Sequence, residues 1–180
     1  MRRLLLASAV LVALLASTLA VHRASAGNRT KRAAALAYLG GELRHYQRLT
    51  WYWQRLMGVR ETHSSGRVLA VMAVSDIQRA VTLWRTRALV AHRRAQHPPH
   101  LRGWLCIHHY EAAWNDTGAP YWGGLQMSLW FQQRYGWRLY RTKGTADHWS
   151  PLEQIWTAER AVHTSGFWPW PNTARICGLI

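Results

Sequence analysis

Carboxylates are scarce in this chain. Its 180 residues include eight Asp and Glu against 23 Lys and Arg, a formal net charge of +15. So few acids leave few candidates for any chemistry that needs a carboxyl group. Lysine is rarer still, at two residues, so arginine carries almost all of the positive charge. There is no HExxH pair and no second cluster of ligand residues, which argues against a metal site. There is no GxSxG elbow, which argues against a Ser-His-Asp hydrolase. No alternating run of apolar and polar residues is long enough for a convincing strand, so the fold is expected to be mainly α.

Hydrophobic residues make up 49% of the chain, enough for one domain with a real core plus an extension. The charge is uneven. Residues 27–100 hold 13 basic and 3 acidic residues, whereas residues 101–180 hold 7 and 5. A basic face suits a polyanion: nucleic acid, anionic lipid or an anionic wall polymer. A compositional preference for arginine is the simpler alternative.

The N-terminus narrows the choice of polyanion. Arg2 and Arg3 precede an uncharged, mostly apolar run over residues 4–21, and Ala24, Ser25 and Ala26 follow. That order is a secretory signal, with cleavage expected before Gly27. The run just reaches spanning length, so an uncleaved anchor is the alternative, and membrane association is expected only in that case. Residues 27–180 are expected outside the cytoplasm, secreted or wall-associated, which argues against a nucleic-acid partner. Two cysteines, Cys106 and Cys177, suit that compartment. An even count in an exported chain points to one disulfide, closing a loop of about 70 residues and adding roughly 3–4 kcal/mol. Two unpaired thiols are the alternative.

Leu36, Leu39, Leu43, Tyr46, Thr50, Trp53 and Met57 recur at spacings of three and four, one stripe of a long helix. Ala70, Val74, Ile77, Val81, Trp84 and Ala88 form a second stripe. Residues 31–57 and 66–95 therefore read as an antiparallel helical hairpin with basic outer faces. His97, Pro98 and Pro99 end it as a stiff linker. This hairpin is expected to be a spacer or partner surface without catalysis.

Residues 101–180 hold nine of the twelve Trp. Residues 104–113 read as a short helix ended by the turn sequence Asn115, Asp116, Thr117, Gly118. Ser150, Pro151 and Glu153 form a capping box opening a helix that runs to about Thr164 and stops at Gly166. A small hairpin is expected near residues 119–127. The acids here are Glu111, Asp116, Asp147, Glu153 and Glu159. Glu153 is used by the capping box, Glu159 sits mid-helix, Asp116 lies in a turn and Asp147 precedes the box. Glu111 stands apart, between Tyr110 and Trp114 at a helix end. An aromatic setting suits a carboxyl that must hold a proton as a general acid. His108 and His109 are adjacent on a helix and so point about 100° apart, which makes them poor joint ligands. No metal or cofactor is expected.

Four features together resemble the transglycosylase-like domain of the resuscitation-promoting factors and related actinobacterial wall-lytic proteins. They are "CIHHYE" at 106–111, "WND" at 114–116, "YWGGLQ" at 121–126, and "EQIWTAERA" at 153–161 followed by "GFWPWP" and Cys177. The resemblance covers about 75 residues, in this order along the chain. It implies a small, disulfide-linked, lysozyme-like domain over residues 101–180, with Cys106 paired to Cys177. It implies peptidoglycan glycan strands as substrate and Glu111 as a single catalytic acid/base. Asp116 is the only nearby second acid, so attack by the muramyl 6-hydroxyl, giving a 1,6-anhydro end, is favoured over hydrolysis. Trp114, Asn115, Tyr121, Trp122, Gln126 and Trp130 are the expected sugar contacts, the rings by stacking and Gln126 by hydrogen bonding. The basic residues 27–100 are expected to add adsorption to anionic wall polymers. The sequence departs from the pattern where Ala112 and Ala113 replace a usual Ser-Gly, and where Ser165 replaces a usual Gln. Those departures support the alternatives: a wall-binding module with weak or lost catalysis, or a structural envelope protein acting through its basic hairpin.

Overall fold

A computed structural model describes the backbone of residues 2–64 and 72–180, and the side chains of residues 27–64 and 72–180. The chain is mainly helical, with a minor two-stranded sheet and one disulfide. Among the described residues, seven helices follow in order: α1 (Arg2–Met57), α2 (Val74–Ala95), α3 (Leu101–Glu111), α4 (Leu129–Tyr135), α5 (Trp137–Lys143), α6 (Pro151–Ser165) and α7 (Pro171–Ile176). Strands β1 (Tyr121–Trp122) and β2 (Met127–Ser128) lie between α3 and α4 and pair antiparallel, Tyr121 opposite Ser128. Among the described residues, no helix is long and apolar enough to cross a membrane. Side chains of the expected signal segment, residues 1–26, lie outside the described residues, as does Ala70 of the second stripe.

The chain divides into two compact units. The first comprises Met1–Tyr46 and Ser64–Arg85, and in it Leu43, Ile77 and Trp84 are buried. The second comprises Gln47–His63 and Thr86–Ile180, so it takes in two stretches that precede the expected 101–180 segment. The reason is an apolar cluster in which Leu56 and Met57 meet Ala91, Ala95 and Trp156. Trp53 also lies against His92, ring centroids 4.6 Å apart. Here the C-terminal ends of α1 and α2 meet. An antiparallel hairpin would instead bring the end of α1 against the start of α2, so that expectation is corrected.

The connection explains the difference. Gly58, at φ 70°, ends α1 in a Schellman turn: its N–H donates to Arg55 O, and the Val59 N–H donates to Gln54 O. The chain then doubles back along α1. Trp51 donates its indole N–H to Thr62 O, and the Gln54 amide group bonds both Thr62 Oγ1 and Thr62 N. Met72 and Ala73 are not helical, so α2 starts at Val74 rather than residue 66.

In the second unit the main core gathers Trp104, Ile107, Leu125, Met127, Phe131, Ile155, Phe167 and Trp170. Buried indoles need a partner for their N–H. Each has one: Trp104 on Glu159 Oε1, Trp149 on Gly144 O, Trp156 on Ala95 O and Trp170 on Leu125 O. The capping box of α6 forms as expected, with Pro151 in the first turn. The His97–Pro99 stretch is anchored where it enters α3, because buried Glu159 accepts from both the His100 N–H and its ring Nδ1. The disulfide joins Cys106 on α3 to Cys177 at the end of α7, across 71 residues. It fixes α7 against α3.

Candidate functional site

Helix α3 carries Glu111 at its last position. Ala112 then turns to extended backbone, so the helix stops before the expected residue 113. Glu111 is half-buried and accepts a hydrogen bond from the Thr173 hydroxyl at 2.7 Å. Thr173 is buried on α7, four residues before Cys177 and therefore on the same side of that helix. The disulfide thus holds in place the segment that supplies Glu111 with its donor. Thr173 went unnoticed in the sequence; its i, i+4 spacing from Cys177 was the available signal.

The other acids of the region are occupied. Glu153 is buried, caps α6 and receives Lys143 Nζ on both oxygens at 2.8 Å. Glu159 holds His100 and Trp104 as described. Asp147 pairs through Oδ2 with the neighbouring His148 ring at 3.0 Å, and its buried Oδ1 has no partner among the described residues. Asp116 accepts the Gln126 amide at 2.7 Å.

The "YWGGLQ" stretch forms β1 and the turn that leads into β2. Gly123 and Gln126 both have positive φ, 73° and 47°. A Cβ on Gly124 would sit 2.6 Å from His108 Nδ1 and 3.0 Å from the Trp114 backbone, so only glycine fits there. Trp114 stacks on His108, centroids 3.9 Å apart and planes tilted 22°. One face of Trp114 is therefore already covered by protein. Its carbonyl accepts from buried Gln154, which ties the loop after α3 to α6. Gln126 spends its NH2 group on Asp116 Oδ2 and Gly123 O. What remains for a ligand is its carbonyl oxygen, not the donor expected.

The rest of the expected contacts divide by exposure. Asn115 is exposed, Trp122 is half-buried against the core, and Tyr121 and Trp130 are 48% and 65% exposed. Trp168, beyond α6, is equally open at 65% and was not singled out. Among the described residues, no group of three His, Cys, Asp or Glu is gathered as metal ligands.

A cavity of about 470 Å³ lies elsewhere in the second unit, and Glu111 is not in its lining. It is bounded by the end of α1, the junction of α4 with α5, and α6. Burial pushes the Arg160 guanidinium there down to about 10. Hydrogen bonding to Ser165 and then Thr164 lowers the Tyr135 phenol below its ordinary value. Burial, then the Glu153 carboxylate, raises that of Tyr52.

The fold and site define a small helical unit, clamped by one disulfide, that carries a half-exposed glutamate at a helix end. Comparison with family models, curated proteins and solved structures finds no match to this chain.

Proposed function

We propose that the chain is an exported, wall-associated enzyme that cleaves the glycan strands of peptidoglycan, with Glu111 as general acid and base. The observation that carries this reading is the employment of the acids. Glu153, Glu159, Asp147 and Asp116 each hold a cation, an indole, an imidazole or an amide in place. Glu111 has a hydroxyl partner and partial access to solvent. Glycosidic cleavage needs a proton on the leaving oxygen, and Glu111 supplies it. The muramyl 6-hydroxyl then attacks the anomeric carbon and returns its proton to Glu111, so the reaction closes without water. Exposed Tyr121 and Trp130 offer ring faces to the sugars. The disulfide suits an oxidising compartment outside the cytoplasm.

Mass spectrometry of purified wall digested by the chain tests the reading. Anhydro-muropeptides are the expected product; reducing ends would mean hydrolysis, and undigested wall would refute cleavage. Two observations favour a second reading, a wall-binding module without efficient catalysis. The cavity lies away from Glu111, and the Gln126 amide is already committed. Sedimentation with wall in the absence of turbidity loss would select it. In either case the basic residues 27–100 add adsorption to anionic wall polymers, which added salt should weaken.

A further inference from the structure

The cavity described above has its own chemistry. Four arginines and one glutamate line it. Arg55 is paired with Glu61, and Glu153 with Lys143. Arg134, Arg138 and Arg160 have no carboxylate partner among the ion pairs of the described residues. Three positive charges therefore face one cavity without local compensation.

Arg160 is the fixed part of this arrangement. Its Nε donates to Tyr135 O, one terminal nitrogen to Leu56 O and the other to Thr157 Oγ1. A guanidinium has five N–H donors, so two remain after these three bonds. The head is held in one orientation before any ligand arrives, which lowers the ordering cost of binding. Burial opposes its charge, so an incoming anion would relieve that cost. Arg134 and Arg138 stand exposed at the rim, Arg134 beside the Tyr135 phenol. Trp137, 54% exposed and with the Arg141 guanidinium 5.7 Å over one ring face, and Leu139 add apolar surface to the same lining. The volume falls within the range of about 300–1,000 Å³ usual for small-molecule pockets.

We propose that this cavity is a binding site for a small organic anion, a carboxylate or phosphate group joined to a flat or apolar body. Guanidinium groups recognise both anions through paired N–H donors. The aromatic wall accounts for the body. The site is separate from Glu111, and its occupancy does not depend on wall cleavage.

Isothermal titration of the full chain with phenyl phosphate and with benzoate, at physiological salt, tests the proposal. Benzyl alcohol is the neutral control. Saturable one-to-one binding of at least one anion, and none of the alcohol, is expected; the tighter anion identifies the preferred head group. Arg134→Gln with Arg138→Gln should weaken that binding by at least about tenfold, a loss of about 1.4 kcal/mol. Equal binding by the double variant would place the anion on other basic surface and overturn the proposal. Absence of saturable binding at millimolar ligand would also overturn it. If the double variant fails to fold, Trp137→Leu replaces an exposed ring and should weaken binding too; unchanged binding there would count against the site. The indole N–H resonance of Trp137 should shift on titration of the native chain, and a stationary resonance would refute this location.

Discussion

The Thr173 hydroxyl sits 2.7 Å from Glu111 Oε1 and 3.5 Å from Trp170 O. It donates to the carboxylate when Glu111 is ionised. When Glu111 carries a proton, the hydroxyl can accept a hydrogen bond from the carboxyl group and turn its own hydrogen to the Trp170 carbonyl. Thr173 can thus serve both protonation states of Glu111, as the proposed acid and base role requires. It acts through Glu111 and is a positioning residue. Thr173→Val should lower kcat for wall cleavage and alter its pH profile, with little change in KM. Thr173→Ser should restore both. A Val variant with an unchanged profile would reduce this contact to packing.

Glu111→Gln keeps shape and removes the proton donor. Wall cleavage should fall by at least the roughly 10²–10⁴-fold that general acid catalysis supplies. Far-UV circular dichroism and wall sedimentation should be unaffected. His109→Ala should cost little, because that ring is exposed. His108→Ala should cost more, through lost stacking under Trp114 rather than lost ligation. Chelator should change nothing. Near-normal turnover by Glu111→Gln, or loss of turnover with chelator, would remove Glu111 from the mechanism.

Gly124→Ala tests the turn that seats Trp114. The added methyl meets a ring nitrogen at 2.6 Å and main chain at 3.0 Å, and the main chain cannot swing aside. Overpacking of this kind costs about 1–3 kcal/mol. The denaturation midpoint should fall, and wall turnover should fall with the displacement of Trp114. Gly27→Ala is the control, because a Cβ there meets nothing within 4 Å. Equal midpoints for the two variants would mean that the turn relaxes freely.

Legibility in the sequence followed locality. The α6 capping box was readable because Ser150, Pro151 and Glu153 lie within four residues. The α1 stripe was readable because Leu43, Thr50 and Met57 repeat at heptad spacing, and all three are buried. The hairpin strands sit where the turn residues pointed. The direction of the α1–α2 pairing was not readable. It depends on the Thr62 contacts that turn the chain back along α1, and nothing in a periodic stripe encodes them. Helices α4, α5 and α7 have six or seven residues each, too short for a periodic signal. Ser128 as cap of α4, Gly144 at the end of α5 and Pro171 in the first turn of α7 were the local marks. At the candidate site, Glu111 stood out by elimination. Its partner Thr173 did not, because the contact spans 62 residues.

Glu159 carries more of the fold than its mid-helix position suggests. It is 4% exposed and accepts from the His100 backbone N–H at 2.8 Å, the His100 ring at 2.9 Å and the Trp104 indole at 3.0 Å. These bonds set the start of α3 against α6, and α3 ends in Glu111. Glu159→Ala strands one buried donor, the Trp104 indole N–H, and removes the partner of the exposed His100. An unmet buried donor costs about 1–3 kcal/mol, so stability should fall by at least about 1 kcal/mol in urea unfolding. Glu61→Ala removes an exposed partner of Arg55 and should cost less than about 1 kcal/mol. Near-UV circular dichroism should change for Glu159→Ala, because the Trp104 ring packs on Phe167 and Trp170 within 4.9 Å and loses its anchor. If both variants unfold at the same urea concentration as the native chain, buried Glu159 is not what aligns α3.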